Sequence, residues 1–461
     1  MHINKSLHLF TPMRVFSAMN PLPSSKSSRL HLRVTPFKFQ PAVLALLLAL
    51  VVPVATSANT LGDVLQAALD HPAVRSRQAQ LQAAEQDASA ATARYLGRGS
   101  LLLDQTSYEG KHVVGYFYPG QPTPAMLDDT ISRVGISYSL PIDLFGVIAA
   151  SREKAQGNRD ALDLLARQEQ LLRLNQAASA LTRKQALQLQ AQALQTQRER
   201  VEASVARIHQ EVDLGRTAGV DLALAESDLA RLQAEEARLQ GQLGDTRADL
   251  RDASGQDPEV DTQIVATPAW QDVEPDQTLA VRIAQARLLS LQASSREAKR
   301  NLLPALSLVA DVFSNHGGSS GMTTRAIALR LTMPLEVGSF KRANADAARA
   351  VAAEEDVAAS RQTARRQWQS LHSAYNSAQA DAQALDKEVR YRTEVVAVEE
   401  KKWELGAQTL ENLLRQRRDL LDAQYRLADA RFRSLNAWSQ AQVLAGTEVT
   451  QYIATLNPQK P

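Results

Sequence analysis

With no cysteine among its 461 residues, the chain can build no thiolate metal site, no disulfide and no lipid-modified N-terminal cysteine. Three of its eight histidines (His2, His8 and His31) lie before Asn59. The other five (His71, His112, His209, His316 and His372) are far apart in sequence, which suits solvated or capping roles better than a shared metal. There is no H-E-x-x-H pair and no G-x-x-x-x-G-K phosphate loop, so neither zinc hydrolysis nor nucleotide-driven work has its usual residues. Glu153, Asp160, Asp163 and Glu169 stand among arginines in a helical stretch, the pattern of a solvated face. No catalytic, metal-binding or cofactor-binding residue is expected. The residues whose spacing carries a message are instead two glycines, Gly215 and Gly406, 191 positions apart. Asp221 follows the first by six residues, and Asn412 follows the second by six. Arg415 comes three after Asn412, on the same helical face.

These glycines interrupt very long helical segments. From about Ala149 to Gly215 there is no proline, and Gly157 is the single glycine before the end. Leu187, Leu194, Val201 and Ile208 recur every seven residues, an a/d-like seam. A helix of roughly 65 residues is about 100 Å long, so the segment spans a distance rather than filling a compact core. After Gly215 a second apolar-periodic run returns to about Leu250. The same device follows Gly406, where Leu413, Leu420 and Leu427 keep the seven-residue step, as do Leu414, Leu421, Ala428 and Leu435. Two long helical hairpins with glycine tips are therefore predicted.

Before each hairpin the texture changes to strand. Val134, Ile136, Tyr138 and Leu140 alternate with Arg133, Gly135, Ser137 and Ser139, and Ile327, Leu329, Leu331 and Met333 alternate with Ala326, Ala328, Arg330 and Thr332. Pro141 and Gly146 mark the first strand-to-helix junction, Pro334 and Gly338 the second. The two halves keep register except in the loop Glu109 to Asp129, which is longer than its counterpart Asn315 to Met322, as in a duplicated unit. That loop is expected to be external and tolerant of insertion near Gly120. The aromatics Tyr108, Tyr116, Phe117, Tyr118, Tyr138 and Phe145 crowd the first strand pair like an interfacial girdle.

The stretch before Asn59 carries six basic side chains and no acid, and ends in AVLALLLALVVPVA followed by Thr56, Ser57 and Ala58. This is the pattern of a cleaved export signal, with Met13 or Met19 as alternative starts. Without it the balance is 46 basic to 50 acidic residues, a net of −4, which argues against a nucleic-acid partner. No later stretch has 18 consecutive apolar residues, so entry into a membrane would have to be by β-strands. Four strands cannot close a barrel, and in lipid an open edge leaves backbone groups unpaired, so the chain would have to oligomerise.

The expected organisation is a signal peptide over 1–58, a first repeat over 59–253 and a linker over 254–276, then a second repeat over 277–445 and a tail over 446–461. Strands are placed near 100–110, 130–141, 304–314 and 323–334, and hairpin tips near 215–221 and 406–412. This order, with NLLPALSL, SLPIDLFG, TMPLEVG and the twin tips LGRTAGVDL and LGAQTLENLL, resembles the TolC-type outer-membrane efflux proteins over nearly all of the chain after the leader. The resemblance implies an α plus transmembrane-β fold: a homotrimer with one 12-stranded barrel in outer-membrane lipid, continued by a helical coiled-coil tunnel into the periplasm. It also implies a passive conduit for efflux or type I secretion. A periplasmic adaptor (membrane fusion) protein and an inner-membrane RND or ABC transporter would dock at closed tips. Gly215, Asp221, Gly406, Asn412 and Arg415 would then form the periplasmic entrance. Family members often carry acidic residues where this chain has Asn412 and Arg415, so the resemblance leaves the usual cation-binding gate without its ligands here. The alternative is a soluble periplasmic coiled-coil scaffold or adaptor.

Overall fold

The computed structural model describes residues 61–114, 127–255, 265–318 and 320–456. The expected leader, the aromatics Tyr116, Phe117 and Tyr118, the insertion point at Gly120, and residues 256–264 of the linker lie outside them. Helix α1 (Leu61–Leu69) is followed by α2 (Pro72–Ala93), then strands β1 (Arg98–Val113) and β2 (Leu127–Ile142). The long helix α3 (Val147–Asp213) and its return α4 (Gly219–Ser254) complete the first hairpin. Helix α5 (Leu279–Arg300), strands β3 (Ala305–Gly317) and β4 (Ser320–Thr332), and helices α6 (Val337–Glu404) and α7 (Leu410–Ala445) repeat that order. A short helix, α8 (Val449–Leu456), follows α7.

His71 and Pro72 separate α1 from α2 because Pro72 suits the first turn of a helix and the His71 ring accepts a hydrogen bond from the Ala73 N–H at 3.1 Å. The α3 seam is buried as its spacing requires: Leu187, Leu194, Val201 and Ile208 pack with Ala225, Leu232 and Leu239 of α4 and with Leu410, Leu414 and Leu421 of α7. Each such leucine contributes about 1.5–3 kcal/mol through burial. The two seven-residue steps of α7, offset by one residue, serve two neighbours. Leu414 and Leu421 face the first hairpin, while Leu427 packs with Leu385 of α6. In the lower half the helices therefore lie as a layer in the order α4, α3, α7, α6; above it α2, α3, α5 and α6 continue that layer. A second core, with Leu171, Leu174, Trp438 and Tyr452, ties α8 and α1 to the middle of the long helices.

The four strands form one antiparallel sheet in the order β1-β2-β3-β4, so β1 and β4 are its edges. Three expectations need correction. β1 and β2 span 16 residues each, longer than placed from sequence, whereas β4 starts at Ser320 and ends at Thr332, two residues short of Pro334. Pro141 does not end its strand but pairs opposite Ser307, with Ile142 as the last residue. Gly338 is not the counterpart of Gly146. Gly146 caps α3 with a left-handed φ of 71°, and its carbonyl accepts from Arg300 at 2.8 Å; Gly338 sits inside the first turn of α6, which Glu336 caps. A helix entry with an extended cap, as at Glu336, needs no positive φ.

Candidate functional site

The sheet has two unlike faces. Register places Leu101 beside Ile136, Ile136 beside Val312, Tyr138 beside Ala310 and Ala310 beside Ile327. Leu103, Leu308, Leu329 and Leu331 extend the same face. Among the described residues nothing covers this band: Leu101 and Leu103 are 77% exposed and Ile327 is 81% exposed. Along the strands it covers about five rows on one face, close to the height of the apolar band of an outer-membrane barrel. The opposite face is polar and partly sheltered. There the Arg133 guanidinium lies 3.7 Å from the Phe313 ring centroid, and Ser137 donates to Asp311 at 2.5 Å. Gly135 is required here, because a Cβ would stand 2.1 Å from the Val312 carbonyl oxygen. No described helix is long and apolar enough to cross a membrane.

At the far end of the hairpins, Gly215 (φ 69°) and Gly406 (φ 72°) both adopt the left-handed conformation. Each closes its helix in the same way: Gly215 N–H donates to Val212 and Arg216 N–H to Glu211, and Gly406 N–H donates to Trp403 and Ala407 N–H to Lys402. Thr409 then caps α7 by accepting from the Asn412 N–H. Open space surrounds both glycines, so backbone geometry rather than packing selects them. Leu214 and Leu405, immediately before the glycines, are 65% and 83% exposed, and Val220 in the first turn of α4 is also exposed.

Polar contacts at the second tip converge on Glu399. Its carboxylate accepts from Lys402 at 2.8 Å, from Gln408 at 2.7 Å and from the Asn412 side chain at 3.3 Å. The Lys402 hydrogen bond, then that from Gln408, holds the Glu399 carboxyl below its ordinary value. Arg415 donates to the Asn412 side-chain oxygen, Oδ1, at 2.5 Å, three residues back. At the first tip Glu211 is held low chiefly by Arg207 and also accepts from Thr217. Asp221 is joined to none of the second-tip residues by a hydrogen bond or ion pair among the described residues. The structure thus brings Asn412 and Arg415 together and leaves Asp221 apart.

Residues that sequence reasoning passed over tie the two hairpins together. Arg207 stacks on Trp403 at 4.7 Å, and Arg417 reaches Glu400 at 2.7 Å and Ser204 at 3.2 Å. Above them Asp228 of α4 has no exposed side-chain surface and takes Arg418 of α7 at 2.8 Å and Arg231 at 3.1 Å, all on one oxygen. Its other oxygen is buried without a partner. A signal existed. Asp228 stands three after Ala225 and four before Leu232, and Arg417 stands three after Leu414 and four before Leu421, so both occupy seam positions where a charge is costly unless paired. Among the described residues no group of His, Asp and Glu is placed to hold a metal.

A family model described as outer membrane efflux protein matches residues 64–256 and 276–447, most of the chain. No curated protein matches the sequence significantly. Among solved structures, a membrane protein from Pseudomonas aeruginosa aligns at 17% identity over 84% of this chain and 90% of its own, with a TM-score of 0.72. The outer membrane protein VceC from Vibrio cholerae aligns at 16% identity over 84% of this chain and 96% of its own, with a TM-score of 0.69. The MtrE outer membrane channel of Neisseria gonorrhoeae, in its open state, aligns at 16% identity over 84% and 88%, with a TM-score of 0.68.

Proposed function

The chain belongs to the outer membrane efflux protein family, and we propose that three copies of it form a passive conduit running from the periplasm through the outer membrane. The observation that carries this reading is the uncovered apolar face of the sheet, set at one end of helices about 100 Å long. A soluble scaffold would have no use for that face, whereas in lipid it is satisfied. The copy number follows from the strands. Four cannot close, and eight would make a barrel filled by its own side chains. Twelve strands from three copies leave a lumen, lined by the polar face with Arg133, Ser137 and Asp311.

On this reading, force and cargo selection come from partners. The tips are the surface offered to them. Leu214, Val220 and Leu405 are apolar, exposed and grouped at the periplasmic end, as a docking site for a periplasmic adaptor requires. The adaptor would join the conduit to an inner-membrane pump of the RND or ABC class. Asn412 and Arg415 would stand near the axis at the entrance. Two measurements test this reading: membrane fractionation and the mass of the detergent-extracted particle. An outer-membrane particle of three chains is expected; a protein released without detergent, or a monomer in detergent, would refute it.

A further inference from the structure

Arg325 stands on the uncovered apolar face of the sheet. Its register opposite Val312 puts it in the row that holds Leu101 and Ile136, and it is exposed. Among the described residues it makes no hydrogen bond, ion pair or ring contact. Nor does its own face offer it an acid. That face is made by alternate residues, from Gly99 to Ser107 on β1, Thr130 to Ile142 on β2, Leu306 to His316 on β3 and Gly321 to Leu331 on β4. These include no Asp or Glu, and Arg325 is their one permanent charge.

The depth of Arg325 follows from where each strand changes character. Toward the end of the sheet away from the helices, β1 passes from Leu103 to Gln105 and β2 from Val134 to Ser132. In the same direction β3 passes from Val312 to Ser314 and β4 from Ile327 to Arg325. Arg325 is thus the first polar side chain beyond the apolar run of its strand. An arginine is costly at the middle of a bilayer and nearly free of cost at its surface, where the long side chain carries its charge to the headgroups. All the helices join the sheet at its opposite end, the periplasmic one, so this margin belongs to the outer leaflet. Beyond Arg325 the same face carries uncharged hydrogen-bonding groups: Thr323 on its own strand, Ser314 and His316 on β3, and Gln105 on β1.

From this we infer that Arg325 binds the phosphate of a phosphorylated glycolipid in the outer leaflet, whose fatty chains lie along Ile327 and Leu329 and whose sugar faces Thr323 and Ser314. A guanidinium suits a phosphate because its planar fork donates two parallel hydrogen bonds. A phospholipid offers a phosphate too, but the hydroxyl groups beyond Arg325 match a headgroup made of sugar, which both donates and accepts. The inference rests on the sheet lying in the outer membrane, and it adds the class of lipid and the residue that holds it.

Native mass spectrometry of the full-length particle in detergent, titrated with defined lipids, tests this. The wild type should bind diphosphoryl lipid A about 10-fold more tightly than the same lipid stripped of its phosphates, because a charge-assisted pair is lost. Arg325→Leu should lose that preference, whereas Arg325→Lys, which keeps the charge, should retain most of it. The comparison of the two lipids on the wild type needs no variant, so it stands even if Arg325→Leu does not assemble. Equal binding of the two lipids by the wild type, or an undiminished preference in Arg325→Leu, overturns the inference. Phosphatidylglycerol bound as tightly as diphosphoryl lipid A overturns it as well, by reducing the site to a contact for any lipid phosphate. A protein released from cells without detergent would instead show that the membrane reading itself has failed.

Discussion

Asp228 and Arg418 provide the sharpest test of how the two hairpins are held together. The Asp228 carboxylate is fully buried, whereas Arg231 and Arg418 are 44% and 45% exposed, so the cost of desolvation falls on the acid. With charge centres about 4 Å apart, the Arg418 pair is worth roughly 1 kcal/mol in water and about 4 kcal/mol at an effective dielectric of 20. Half exposure of the arginine brings the expected value to about 2 kcal/mol. Arg418→Gln should therefore loosen α7 from α4, because the buried acid keeps only Arg231. Asp228→Asn should cost less than about 1 kcal/mol, because it removes the buried charge and leaves two arginines that water can solvate. Amide hydrogen exchange over Leu410–Leu420 reads the difference. Arg418→Gln should speed exchange by about 30-fold, Asp228→Asn by less than about 5-fold, and the double variant should be slower than Arg418→Gln alone. If Asp228→Asn exchanges faster than Arg418→Gln, or the double variant restores nothing, the acid is not the costly partner and the reasoning is wrong.

Four further outcomes follow from the same geometry. Gly406→Val forces a β-branched residue into a φ of 72° at a cost of about 1–2 kcal/mol, and should weaken efflux in a complementation assay while the proposed trimer still assembles; undisturbed efflux would count against a docking role for this tip. Arg415→Asp reverses one charge in each copy, and single-channel recording should show greater cation selectivity and new block by a trivalent cation. A wild-type channel already strongly blocked, and unchanged by the substitution, would remove Arg415 from the entrance. Gly157→Leu must push α5 away, since even a Cβ would stand 2.9 Å from the Ser290 nitrogen; a loss of about 1–3 kcal/mol should appear as a lower melting temperature by circular dichroism. Glu399 has a depressed folded-state pKa, so its contribution is present above the ordinary value of 4.5 and is lost as pH falls through the lower folded value; tip amides should keep full protection at pH 7 and lose it only in acid, and Glu399→Gln should abolish that acid dependence.

Much of the architecture was legible because it rests on periodicity. A seven-residue apolar step held from Leu187 to Ile208 can be satisfied only by a long helix packed along its neighbours, and a left-handed turn at Gly215 or Gly406 needs the one residue without a Cβ. Alternation from Arg133 to Leu140 announced a strand with unlike faces, although only the sheet shows that the apolar face is the uncovered one. Tertiary structure decided the rest. Pro334 and Gly338 repeat the letters of the first junction but not its geometry, because Glu336 enters its helix from an extended conformation. Arg415 donates to the Asn412 side chain, and the Asn412 amide donates in turn to Glu399 of α6, a link between two helices that spacing along α7 does not record. Arg418 finds Asp228 across 190 residues of chain, a meeting that depends on the two tips ending level, and no local pattern records that height.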